Sequence, residues 1–326
     1  MRIVAWPIGR APAGVRTPII FLCAAAFFTF TLTVPGFASA ANLSAIMIAA
    51  VPLLVLATGQ TFVLISGGID LSAPSIVGLV SVAGGVMISA DVGLIAEGAA
   101  APLAGAAVML GTGALVGLVN GTCIGVLRMP AFMVTLTVGM FSAGLAVLLV
   151  RLAANTETMF DLPRAFIAVG GTPLIAGIVA CGCTLSAHGV LEGTRYGRML
   201  RAVGYNSRAA KVSGVPVATV TAGAYVTSGI FAAVAGMLLT GSLETASPTH
   251  GRTLLLDVIG ATVIGGTSLS GGRGQVWGTV LGVLFLAALG NGLILLNLSD
   301  FVITMVKGLV ILIAAIADRA TALDEH

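Results

Sequence analysis

Any chemistry in this chain must come from very few groups. His188, His250 and His326 lie far apart with no motif around them, so a histidine-centred site would have no partners. The four cysteines, Cys23, Cys123, Cys181 and Cys183, fall in apolar runs and read as small buried residues. Cys181-x-Cys183 has no second pair to complete a metal site. No G-x-x-x-x-G-K-[ST] phosphate loop occurs, and Gly271-Gly272-Arg273-Gly274 lacks the lysine and the preceding strand that such a loop needs. What remains is a set of polar interruptions in apolar sequence. The sharpest is Gly67-Gly68-Ile69-Asp70-Leu71-Ser72, where Asp70 is the first acidic residue and follows 53 uncharged residues, Thr17 to Ile69.

Three further segments resist an explanation as simple apolar helix. Asn120-Gly121 is followed by Arg128-Met129-Pro130-Ala131-Phe132. The charged stretch from Glu192 to Val217 contains Asn206 or Ser207 as a cap for a short helix through Lys211 to Ser213, Gly214 to end it and Pro216 to start the next element. Its paired alanines, Ala209-Ala210, suit docking into a groove on another protein. The fourth segment is Ile264-Gly265-Gly266-Thr267-Ser268-Leu269-Ser270-Gly271-Gly272-Arg273-Gly274. It shares Gly-Gly-x-x-Leu-Ser with the first, at 265–270 and 67–72. Glycine can take positive φ, and serine or threonine can satisfy the backbone groups that an interrupted helix frees in lipid. Interruptions in both halves of a chain point to a transport pathway. The spacing to Asn120-Gly121 and to Asn291-Gly292 differs between the halves, so a true internal repeat stays open.

The elements that must carry these segments are set by composition. Of 326 residues, 58% are hydrophobic and 8% charged, whereas a soluble domain has about 25% charged residues. A water-soluble protein is excluded, and the chain is read as integral to a membrane. Uncharged runs at 71–90, 98–127, 129–150, 165–191, 212–243 and 274–299, besides the opening one, meet the roughly 20 residues a helix needs to cross the hydrocarbon. They do not alternate as barrel strands would. The expected fold is all-α and polytopic, with ten spans near 18–38, 43–66, 72–90, 98–126, 132–151, 167–190, 216–241, 254–270, 275–297 and 302–318. Tails at 1–17 and 319–326 flank a single transmembrane domain, 18–318, with a cytoplasmic loop at 191–215.

Charge placement gives an orientation. Arg2, Arg10, Arg16, Arg128, Arg195, Arg198, Arg201, Arg208, Lys211, Arg273 and Arg319 fall on one side of the ten spans, and Arg151, Arg164 and Arg252 on the other, with Lys307 inside the last. Cytoplasmic loops hold the excess of cations, so both termini are expected inside. Ala38-Ser39-Ala40 imitates a signal cleavage site, but the apolar run before it is longer than a signal core and reads as an uncleaved span. Gly113-x-x-x-Gly117 has the form that lets membrane helices approach closely.

These segments, in this order, resemble the permease subunits of bacterial ABC importers for monosaccharides of the ribose, xylose and galactose type. The likeness runs from about Leu43 to Ala317 and is carried by GGIDLS, by NG followed by LRMPAF, by YGRMLRAVGYNSRAAKVSGV and by DVIGATVIGGTSLSGGRG. The resemblance implies a non-catalytic transport subunit in the cytoplasmic membrane, in contact with lipid and not with nucleic acid, working as a homodimer or with a related permease. It implies a periplasmic sugar-binding protein outside and an ATPase inside, the ATP and Mg being bound by that partner and no cofactor or metal by this chain. The ATPase would dock on Gly197, Arg198, Arg201, Ala202, Gly204, Asn206, Ala209, Ala210, Ser213 and Gly214. Gly67, Gly68, Asp70, Ser72, Asn120, Thr267, Ser268, Ser270 and Asn291 would belong to the gate or pathway, with Gln60, Ser66, Thr135, Thr137 and Thr262 also able to meet sugar hydroxyls.

One departure is Ala73-Pro74-Ser75, where the family continues Val-Gly-Ser; proline suits the first turn of a helix. Asp70 is expected at the inner end of the second span, at the cytoplasmic face or in a protein-lined cavity, with Asp70 or Ser72 capping the third span. The competing reading is an ion- or proton-coupled secondary transporter. It would need a working buried acid, and only Asp70, Asp257 and Lys307 stand near the membrane.

Overall fold

The computed structural model describes residues 16–90, 92–95 and 100–323. In chain order the helices are α1 (Arg16–Thr33), α2 (Ala40–Ile65), α3 (Ala73–Ile88), α4 (Ala101–Gly121), α5 (Ala131–Ala154), α6 (Arg164–Gly171) and α7 (Pro173–Gly193). They continue as α8 (Arg195–Tyr205), α9 (Ser207–Val212), α10 (Val217–Ser242), α11 (Leu254–Ile264), α12 (Val276–Leu295) and α13 (Asp300–Leu323). A π-helical turn, Thr122–Val126, prolongs α4. The only β-type pairing among the described residues is a bridge between Met159 and Ala246. Six helices are long and apolar enough to cross a membrane unaided: α2, α4 with its π turn, α5, α7, α10 and α12. The amino-terminal tail expected at 1–17 lies almost wholly outside the described residues, and α13 runs past the expected end at 318 to Leu323.

Two expected spans are shorter than the apolar runs that suggested them. The run at 167–190 is cut at Thr172, because Pro173 starts α7 and disfavours helix in the residue before it. The run at 254–270 stops at Ile264, since Gly266 takes φ +83° and its amide bonds back to the Val263 carbonyl while Thr267 bonds to Thr262. The same double bond ends α2, where Gly67 has φ +84°, its amide reaches Leu64 and that of Gly68 reaches Val63. The shared Gly-Gly motifs are therefore offset by one in structure, with Gly67 equivalent to Gly266.

Packing centres on α10, which runs antiparallel to α4. A methyl group at Gly113, Gly117, Gly121 or Gly125 would strike the backbone of α10 at Gly229, Tyr225, Ala222 and Ala218 in turn. Glycine at every fourth position brings the two backbones into direct contact, three times as far along the chain as Gly113-x-x-x-Gly117 alone suggests. At the far ends of α2 and α12, Asn42 and Asn291 exchange two amide hydrogen bonds of 2.8 and 3.0 Å.

Candidate functional site

The interruption after α2 turns back into the bundle. With its amide oriented to suit its partners, Gln60 donates to the Asp70 carbonyl and accepts from the Asp70 amide, both at 3.2 Å. Asp70 therefore lies level with Gln60, more than a turn inside the end of α2. It is 1% exposed, so of the two expected settings the protein-lined interior is the one found. Its Oδ1 accepts from the Ser72 amide at 2.9 Å and from the Ser72 hydroxyl, and its Oδ2 accepts from Ser228 Oγ at 2.8 Å. Asn120 Nδ2 donates to Ser72 Oγ at 2.7 Å, and Thr135 Oγ1 reaches the Ile69 carbonyl at 3.3 Å. Five helices, α2, α3, α4, α5 and α10, thus converge on six residues of irregular chain.

Every hydroxyl and amide that reaches the carboxylate donates to it, which is the pattern of an acceptor at both oxygens. Asp70 supplies the cap of α3, as a short acceptor two residues ahead of the Ser72 amide, while the Ser72 side chain makes no cap bond. Pro74 sits in the first turn of α3, where no amide donor is needed. Two buried oxygens border this network without a partner, Tyr225 Oη and Asn120 Oδ1. A methyl group on Gly68 would collide with the Tyr225 hydroxyl, so the tyrosine fixes how close the re-entering chain comes to α10.

A second irregular segment enters from the opposite end. After α10 the chain runs back along α3: methyl groups at Gly85, Gly78 and Gly251 would meet Ala246, the Pro248 and His250 carbonyls, and the Pro74 carbonyl with Val77. α11 consequently begins beside the first turns of α3 rather than at the rim. Non-helical backbone at membrane depth is tolerated only inside protein or along a water-filled cavity, and here two glycines of α3 provide the close fit. Ser81 Oγ accepts from Thr240 at 2.7 Å and from the Ser247 amide at 3.2 Å. Its one proton must therefore serve the 3.1 Å bond to His250 Nδ1, which leaves the imidazole proton on Nε2, toward Thr245. In the first turn of α11, Asp257 pairs with Lys307 at 2.7 Å.

The fourth segment, between α11 and α12, meets the first and third. The Gly272 amide donates to the Ile65 carbonyl at 2.9 Å, Gly271 lies against Gly67, and Gly204 of α8 fits between Ile65 and Gly272. Of the pathway candidates, Asp70, Ser72 and Asn120 form one bonded network; Gly67 and Gly68 lead into it, and Thr267, Ser268 and Ser270 lie on the adjoining loop. Asn291 is bound to Asn42 instead. Gln60, Thr135 and Thr262 are buried and engaged within the protein, Thr137 bonds back to Met133 on its own helix, and Ser66 bonds to Val63.

In the charged loop, Asn206 caps α9 by accepting from the Ala209 amide at 3.0 Å, Gly214 has φ +83°, and Pro216 precedes α10 as expected. Arg198, Ala202, Asn206, Ala209, Ser213 and Gly214 are exposed, Gly197 and Ala210 are buried, and Arg201 and Gly204 are half-buried. Tyr196 donates to the Val220 carbonyl at 3.1 Å, and burial pushes its phenol well above the ordinary tyrosine range. Ser228, Tyr225 and Ser81 were not singled out from sequence. A lone hydroxyl in an apolar helix usually bonds to its own backbone, and nothing in its neighbours marks it as different.

A family model described as the permease component of the branched-chain amino acid transport system matches residues 42–315. The chain belongs to this ABC-transporter permease family. Among curated relatives, the ribose import permease protein RbsC of Bacillus subtilis is 38% identical over 274 residues, covering 81% of this permease and 80% of the relative. The Escherichia coli K12 RbsC is 34% identical over 273 residues, 81% of each chain. The L-arabinose ABC transporter permease protein AraH of Azospirillum brasilense is 30% identical over 321 residues, covering 95% of the permease and 91% of the relative. No solved structure matches. The permease is a transport component, integral to the membrane through its apolar helices.

Proposed function

We propose that this chain is the membrane-spanning subunit of an ATP-driven monosaccharide importer in the bacterial cytoplasmic membrane. It receives its sugar from a periplasmic binding protein and is driven by ATP and Mg bound to a separate ATPase, with a second copy or a related permease completing the pathway. The observation that carries this reading is the match to RbsC over 81% of the chain. The relatives are importer permeases by name, which favours ATP drive over ion coupling.

In this reading the chain crosses the membrane ten times with both ends inside. The lengths of α2, α4 with its π turn, α5, α7, α10 and α12 and the cation bias along the sequence favour it, and α1 and α13 add one crossing each in this reading. The remaining two crossings are made by the short helices α3 and α11, each with its irregular lead-in. α8 and α9 form the ATPase seat; an exposed face bearing Arg195, Arg198, Arg208 and Lys211 supports that assignment.

The test is uptake in cells expressing the chain with an ATPase and a binding protein. Uptake is expected to need ATP and to survive collapse of the proton gradient. Uptake that persists with ATP depleted and the gradient held would overturn the proposal. Binding of pentoses, hexoses, deoxysugars and polyols to the partner binding protein would identify the sugar.

A further inference from the structure

α8 does more than present an outer face. Leu200 and Val203 on its inner side pack with Phe62, Val63, Ile65 and Val276, the end of α2 and the start of α12. At its last turn, a methyl group on Gly204 would collide with the Ile65 carbonyl and the Gly272 amide nitrogen, two groups that are bonded to each other at 2.9 Å. Gly271 in turn lies 2.8 Å, as a methyl would measure it, from both the Gly204 carbonyl and Gly67 Cα. Gly67, Gly271 and Gly272 all have positive φ, so the contact is backbone on backbone with no side chain to give way.

Arg201 reinforces it. Its guanidinium donates to the Leu191 carbonyl at 2.8 Å and to the Gly274 carbonyl at 3.3 Å, and pairs with Glu192. It is thus turned toward the protein rather than offered to a partner.

We infer that Gly204 and Arg201 are the joint through which α8 moves both interrupted segments together. The inference rests on the reading of α8 and α9 as the ATPase seat. On one side Ile65 and Gly67 lead, within five residues, to Asp70 and then to the start of α3. On the other, Gly271 to Gly274 join the end of α11 to α12. A displacement of α8 reaches both through rigid contacts. Gly204 and Arg201 are positioning residues that touch neither nucleotide nor sugar.

The experiment uses the assembled complex with its ATPase, in a background with the four native cysteines replaced and a reporter, Ser270→Cys, on the exposed part of the loop before α12. Maleimide labelling of the reporter is measured with Mg-ATP and without nucleotide. The nucleotide-dependent change in labelling rate is expected to fall by at least about fivefold in Arg201→Gln and Gly204→Ala, while the ATPase still co-purifies and hydrolyses ATP. Arg201→Lys, which keeps a donor, is expected to restore part of the change. An unchanged nucleotide response in Arg201→Gln would overturn the inference. Loss of ATPase co-purification in that variant would also overturn it, by making Arg201 a docking contact. Should Gly204→Ala fail to fold, Arg201→Gln decides alone, because it alters only a half-buried head group. Failure of the unmodified chain to bind any ATPase would instead remove the reading of α8 on which the inference stands.

Discussion

The two irregular segments enter the bundle from opposite ends, and each feeds a short helix with an aspartate at or near its start. They manage that charge differently. Asp70 is wholly enclosed and is held by the amide and hydroxyl of Ser72 at the start of α3 and by the Ser228 hydroxyl of α10, with Asn120 of α4 bracing Ser72 and no cation on its oxygens. Asp257 meets Lys307 directly, and neither is fully enclosed, with side chains 16% and 23% exposed. Carboxylates near a helix start are favoured by the backbone dipole in both cases. The difference is that a cation neutralises by itself, whereas neutral donors neutralise only if all of them stay in place. The segment before α3 is therefore a device in which α3, α4 and α10 must keep one mutual arrangement, and the segment before α11 is a local clasp.

The most damaging test of that contrast is Asp70→Ala. It strands the Ser72 amide and the Ser72 and Ser228 hydroxyls, each at a cost of about 1–3 kcal/mol, and purified protein should melt far below the parent in a thermal unfolding scan. Asp70→Asn keeps one acceptor oxygen. It is expected to assemble but to lose uptake; full uptake would reduce Asp70 to a helix cap.

Next in size is Lys307→Met, expected to cost about 2 kcal/mol, less than the roughly 3–5 kcal/mol of a fully buried pair because the side chains are only partly enclosed. The double variant with Asp257→Asn should melt closer to the parent than either single change, a coupling that the Asp70 network would not reproduce. His250→Leu removes the acceptor for Ser81 and should cost about 1 kcal/mol. His250→Asn, whose Oδ1 can stand where Nδ1 does, should recover most of it. The smallest effect is Tyr196→Phe, about 0.5–1 kcal/mol for one bond to the Val220 carbonyl, with uptake unchanged. Since Tyr196 stays protonated at any ordinary pH, none of this difference should vary between pH 6 and 9.

How much of this could be read from the residues depends on the interaction. The all-helical architecture and its six long apolar helices followed from uncharged runs because lipid leaves a chain few alternatives. The cap of α9 followed because Asn206, Gly214 and Pro216 each do one local thing. The path from Ala246 to Gly251 could not be read, since it depends on Gly78 and Gly85 lying on the correct face of a helix more than 160 residues earlier in the chain. Nor could the one-residue offset of the Gly-Gly motifs, because the backbone angle at Gly67 and Gly266 defines the equivalence and the letters do not. Arg201 looked like one of several surface cations. Its inward turn is visible only once the Leu191 and Gly274 carbonyls are in place.

The shortness of α11 bears on how the protein is made. Eleven residues rise about 16 Å, roughly half the hydrocarbon thickness, so this helix cannot partition into lipid by itself as it leaves the ribosome. Its lead-in from Ala246 to Gly251 is worse suited still, because its backbone groups depend on other segments, on α3 and, through the Ala246 bridge, on Met159. Both must wait near the interface until α12 and α13 have been inserted and can draw α11 down between them. Synthesis order and assembly order therefore part company at this point, and a chain truncated before α12 should leave residues 243–264 outside the membrane and open to protease.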